Sequence, residues 1–217
     1  MKPRFWQVII CILIGIILVA GGVFGLYAGV RNARAVVKLG DVTVDSGTVT
    51  YLTALYKQDY INALIEDGVE ASDTEEFWHS EKSEGVRYGE LFEAELEIYI
   101  TGLVADAYLY VTHHGYTAED KISVAEKSNN IVRDYAHGSV DEFNRVAEAH
   151  GFDYSDFQNA NALIFKAQRA RALLPDTLGH EEYEAELEAA KERVVFNRYY
   201  KTIDILAVPK INDYYVK

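Results

Sequence analysis

From Phe5 to Val30 the chain carries no charged side chain, and Gln7 is the only strongly polar one. A helix of about 26 residues at ~1.5 Å each is roughly 39 Å long, against a hydrocarbon core of ~30 Å. A charge-free run longer than ~18 residues predicts a transmembrane helix. The glycines at 15, 21, 22, 25 and 29 agree with that, since glycine is common in membrane helices. A cleaved signal peptide is the rival reading. It calls for an apolar region of ~7–15 residues ending at a small-x-small site. Ala33-Arg34-Ala35 has that form, but the apolar run is too long, so a retained anchor over 1–34 is the expectation. Lipid attachment at Cys11 would need a small residue before it, and Ile10 stands there. Cys11 therefore reads as a small hydrophobe within the span. The span has no acidic or basic residue to support transport through it.

The flanks do not set the orientation. Lys2 and Arg4 precede the span, and Arg31, Arg34 and Lys38 follow it, nearly a tie under the positive-inside rule. The remainder, 35–217, has the size of one ordinary domain. Four of the 21 basic residues lie before Ala35, which leaves 17 against 34 acidic ones. Such a surface repels phosphates, so nucleic-acid binding is not expected. Cys11 is the only cysteine, so no disulfide forms within the domain, and a cysteine nucleophile is excluded.

Along the domain, AVVKLGDVTV (35–44) predicts a strand and a tight bend at Gly40-Asp41. Asp45 or Ser46 then caps a helix whose apolar face holds Val49, Leu52, Leu55, Tyr56, Leu64 and Ile65, with Gly68 as its stop. Residues 73–89 read as a short helical turn and a loop. A long helix follows from about Glu90 to His114. Thr117 with Asp120, and Ser139 with Glu142, have the form of capping boxes that open helices ending at Gly138 and Gly151. Asp153 or Ser155 opens another that is expected to reach Leu174, where Pro175 and Gly179 break it. A last helix is expected over about Glu181–Lys201, and Ile203–Val208 reads as a strand closed by Pro209. The expected fold is mostly α: a membrane helix and then a multi-helix domain whose two short terminal strands pair.

Candidate chemistry is sparse. Glu76-Phe77-Trp78-His79 has the Glu-x-x-His spacing of carboxylate-bridged di-iron sites, but Asp134 with His137 is only a partial second motif. His113 and His114 stand before Gly115, where imidazoles suit the negative end of a helix. Glu90, Glu93 and Glu97, and Glu182 with Glu186, read as solvated helical faces. No phosphate loop, His-Glu-x-x-His or nucleophile elbow occurs. Catalytic, cofactor-binding and metal-binding residues are therefore all expected to be absent, and the chain is not expected to be an enzyme. The 16 tyrosines offer large apolar faces with polar tips, a composition suited to a surface that is alternately wet and covered.

The stretch VVKLGDVTVDSGTVTYLTALY and then EEFWHSEKSEGVRYGELFE resembles the N-terminal domain of the SurA and PrsA foldases. In the second stretch, Phe77, Trp78, Gly85, Val86, Tyr88 and Gly89 resemble the pattern of Gram-positive-type members. The Gly-aromatic pairs Gly115-Tyr116 and Gly151-Phe152 are similar too, and the likeness covers most of 35–217. The resemblance implies an extracytoplasmic, chaperone-like domain on a single-pass membrane anchor that holds unfolded or newly secreted polypeptides. It leaves the client-binding residues unassigned. In such foldases a parvulin-type isomerase domain of roughly a hundred residues accompanies this module. Here only Pro175–Gly179 separates the last two helices, so isomerase residues have no counterparts. The second reading is a structural or interaction subunit that docks one fixed membrane or envelope partner.

Overall fold

The computed structural model describes residues 35–211, so the Phe5–Val30 span and Cys11 lie outside the described residues. Within them the chain is mostly helical, with a few short strands. No helix among them is long and apolar enough to cross a membrane.

The first elements are β1 (Ala35–Leu39) and β2 (Val42–Asp45). Val37, Leu39, Val42 and Val44 are buried. Gly40, at φ 55°, makes the bend between the strands. A Cβ there would stand 2.8 Å from the Tyr108 ring, so both backbone conformation and space call for glycine. Of the two cap candidates Asp45 is the one used. Its carboxylate accepts the Thr48 N–H at 2.8 Å and opens α1 (Ser46–Glu66). The chain leaves α1 through Gly68 at φ 83°, with the Val69 N–H returning to the Leu64 carbonyl at 2.9 Å.

Residues 73–89 hold more structure than a turn and a loop. They contain α2 (Glu75–His79), capped by Thr74, and a small hairpin of β3 (Glu81–Ser83) and β4 (Val86–Arg87). Gly85 turns the hairpin at φ 75°. The central helix α3 (Tyr88–His113) follows. Phe92, Leu96, Ile100, Leu103, Val104, Ala107 and Tyr110 bury one face of it at three- and four-residue steps. Thr117 and Ser139 cap α4 (Ala118–Tyr135) and α5 (Val140–Ala147). Asp153 caps α6 (Tyr154–Leu178), and α7 (His180–Lys191) follows.

Helix α6 packs along α3, with α7 and α1 beside them. Ala160, Ala167 and Ala170 of α6 are fully buried, and their small side chains let the two long helices approach closely. Asp106, 1% exposed, ties three helices together. It accepts from Arg171 Nε of α6 at 2.7 Å and from the Tyr183 hydroxyl of α7 at 2.6 Å. A buried carboxylate is tolerable only with such partners.

Three expectations require correction. Pro175 does not end α6, which runs to Leu178 and stops at Gly179, φ 96°. Proline removes one N–H of the ladder, while the packing of α6 on α3 and α7 and the Thr177 hydroxyl bond to the Leu173 carbonyl (2.8 Å) support the last turn. The last helix ends at Lys191 rather than Lys201. Val195–Phe196 forms β5 instead and pairs antiparallel with β1, Val37 opposite Phe196, in a sheet of order β2-β1-β5. The strand expected over Ile203–Val208 does not form. That segment turns tightly, with the Ala207 and Val208 N–H groups returning to the Asp204 and Ile205 carbonyls. Ile205, Val208 and Ile211 are buried at three-residue steps. The pairing expected between the two terminal strands therefore does not form, and β1 pairs with β5 instead.

Candidate functional site

The segment 203–211 has no ladder to hold it, and Lys57 supplies the attachment. Its position, four residues before Ile61 and eight after Val49, puts it on the apolar face of α1, and it is fully buried. Lys57 Nζ donates to the carbonyls of Leu206 at 2.8 Å and Val208 at 2.6 Å, and pairs with Asp73 Oδ1 at 3.1 Å. The ammonium also lies 5.1 Å from the Trp78 ring centroid and 5.7 Å from that of Phe92, within reach of cation–π attraction. Asp73 completes the clamp. It accepts the Trp78 indole N–H at 2.9 Å and the Lys210 backbone N–H at 3.0 Å. Removing one partner of a buried pair of this kind typically costs about 3–5 kcal/mol.

Between this fastened segment and α2 lies a groove of about 650 Å³, lined by Asp73, Thr74, Glu75, Trp78, His79, Asp204, Leu206, Ala207 and Pro209. Trp78, Leu206, Ala207 and Pro209 give it an apolar side; Asp73, Glu75 and Asp204 give it an acidic one. The close fit of Leu206 on Gly89 brings the segment against the start of α3: a Cβ at 89 would meet the Trp78 carbonyl at 2.9 Å and the Leu206 side chain at 3.0 Å. Trp78 is held from behind by Phe92 and Tyr60 (5.1 and 6.3 Å between centroids) and by Phe77 at 5.1 Å. Trp78 itself is 2% exposed, so it closes the floor of the groove and the accessible apolar surface is that of Leu206, Ala207 and Pro209.

A row of carboxylates continues from the groove along α3. Burial, then the charges of Glu90, Glu97 and Asp204, pushes the Glu93 carboxyl above its ordinary range. Beside it Tyr200 is 3% exposed. Its hydroxyl has no hydrogen-bond partner among the described residues, a state that costs about 1–3 kcal/mol for a buried polar group. Burial, then Glu97 and Glu93, pushes that phenol up.

The motifs singled out from the sequence fall as follows. Glu76 and His79 are exposed, and His79 Nδ1 lies 2.8 Å from the Glu75 carbonyl. Asp134 pairs with Arg133 at 3.2 Å, and His137 sits in the turn after α4 at φ 51°. No group of His, Cys, Asp or Glu among the described residues has an arrangement that could hold a metal ion. The adjacent histidines diverge: His113 Nε2 reaches Glu186 at 2.7 Å, joining α3 to α7, while His114 stacks on Tyr110. Glu186 is thus engaged across helices rather than merely solvated. Tyr51, Tyr60, Tyr110, Tyr183 and Tyr200 are buried, Tyr56, Tyr88, Tyr99, Tyr108, Tyr116 and Tyr154 are half-buried, and Tyr199 is exposed. The described tyrosines mostly pack between elements, as in the stack of Tyr56 on Tyr99 at 4.6 Å. The groove itself was not anticipated. The one signal for it was a lysine inside the apolar stripe of α1.

No protein-family model matches the chain, and neither a curated protein nor a solved structure matches it.

Proposed function

We propose that this chain is a polypeptide-binding module tethered by the Phe5–Val30 helix and facing outward from the cytoplasmic membrane, and that it has no isomerase or other enzymatic activity. The groove between α2 and residues 204–209 carries this reading. It combines the accessible apolar side chains of Leu206, Ala207 and Pro209, set over the buried Trp78, with an acidic edge, a surface suited to a short extended segment of another protein. The resemblance to the chaperone domain of SurA- and PrsA-type foldases supports the same class of function.

The surface favours a defined segment over broad holding of unfolded chains. The exposed large hydrophobics Ile65, Ile98, Ile122, Val140, Val195 and Tyr199 sit on different elements, whereas a general holdase calls for a contiguous apolar patch. A fixed envelope partner is therefore the preferred occupant, and secreted clients that share its segment chemistry are the second reading. The test is fluorescence anisotropy of labelled Leu-rich peptides with the full chain in neutral detergent. Ala207→Trp, at an exposed position that lines the groove, should abolish binding while leaving the circular dichroism spectrum unchanged. Binding unaffected by this substitution refutes the groove as the site.

A further inference from the structure

Leu206 of the groove lining packs on Gly89 at the start of α3, and Glu93 lies one helical turn further along the same face, so the carboxylate row begins beside the groove. Glu90, Glu93 and Glu97 stand three and four residues apart on the exposed face of α3. The side-chain ion pairs among the described residues use Lys57, Arg133, Arg145, Arg171, Lys191 and His113, and none reaches these carboxylates. Their hydrogen bonds are local: Glu90 accepts the Arg87 N–H, and Asp204 accepts the Ala207 N–H, each at 3.2 Å. Among the described residues, after burial, the charges that push the Glu93 carboxyl up are Glu90, Glu97 and Asp204.

The second observation is independent of the acidic row itself. The Tyr200 hydroxyl is buried without a hydrogen-bond partner, and the charges acting on it are Glu97 and Glu93. A buried hydroxyl is satisfied when a neighbouring carboxylate turns in as its acceptor. A cation on the outer side of the row offsets the mutual repulsion of the carboxylates and permits that arrangement.

We infer that the segment bound by this module is cationic and seats a lysine or arginine side chain between Glu93 and Asp204, with its apolar neighbours on Leu206 and Pro209. This rests on the groove being a polypeptide site, as proposed above. His79, the imidazole in the lining, is tied to the Glu75 carbonyl on the opposite wall.

The experiment compares two labelled peptides on the full chain in neutral detergent: one of alternating Leu and Lys, and its counterpart with every Lys replaced by Gln. The Lys peptide should bind about ten-fold more tightly, as two partly exposed ion pairs allow, and added salt should weaken it. The E93Q/D204N double variant should bring its affinity down to that of the Gln peptide measured on the same variant. Equal binding of both peptides, indifferent to the double variant, overturns the cationic seat and leaves the groove reading standing. Binding of neither peptide overturns both. Stoichiometric Ca²⁺ binding that displaces the Lys peptide makes the row a metal site and also overturns the inference. Glu93 and Asp204 are exposed, and an unchanged melting temperature confirms that the variant is folded.

Discussion

Two helix N-termini meet at a carboxyl pair, and that contact makes stability depend on pH. Asp45 caps α1, while Asp153 and Asp156 cap α6 reciprocally: each side chain accepts the other's backbone N–H at 2.9 Å. The Asp156 carboxyl lies so close over Gly47 that a Cβ there would collide with its Oδ2. Burial pushes Asp156 up to about 7; the Asp153 N–H opposes this, while the charges of Asp45 and Asp153 and a hydrogen bond with the Asp45 side chain reinforce it. In the unfolded chain the same group titrates near 3.8. The folded state therefore holds a proton that the unfolded state releases. This contribution to stability is complete below about 3.8 and is lost as pH rises through about 7. Three units at ~1.4 kcal/mol each set a ceiling of about 4 kcal/mol. Asp156 is only half-buried, and solvent screening brings the expected value to about 1–2 kcal/mol. Asp156→Asn keeps an oxygen for the Asp153 N–H, supplies an N–H to Asp45 without a proton from solvent, and removes the repulsion. In urea denaturation of the full chain in neutral detergent, followed by circular dichroism, the variant should match the parent at about pH 3.5, below the unfolded-state value. At pH 8 it should be more stable by about 1–2 kcal/mol. A constant offset at all pH values, or a variant less stable at pH 8, refutes this account of the carboxyl pair.

Lys57→Met should destabilise the domain by about 3 kcal/mol, because it leaves Asp73 and two carbonyls without their cation. Hydrogen exchange should show residues 204–211 opening before α3 or α6, and uniform exchange across the chain would show that Lys57 does not fasten that segment. Protease added to intact spheroplasts should digest the domain, whereas protection until lysis would place it on the cytoplasmic side.

What the sequence determines alone is local. Caps and stops were legible because they are short-range chemistry: a Thr, Ser or Asp side chain reaching an N–H three residues on, as at Thr117, Ser139 and Asp153, and glycines at positive φ after the helices, as at Gly151. The apolar face of α3 was legible because its period is that of the helix itself. The C-terminal end was not. Val194 to Phe196 continues a helical pattern until β1 offers an edge, and Ile203 to Val208 has the composition of a strand but turns tightly and is fastened by Lys57 instead. Only the tertiary structure decided which of the two segments pairs, since a strand is stabilised by a partner distant in sequence. The site was hidden for the same reason. Lys57, Asp73 and the carbonyls of Leu206 and Val208 lie up to 151 residues apart. No local pattern connects a lone lysine in an apolar stripe to the oxygens that make its burial tolerable.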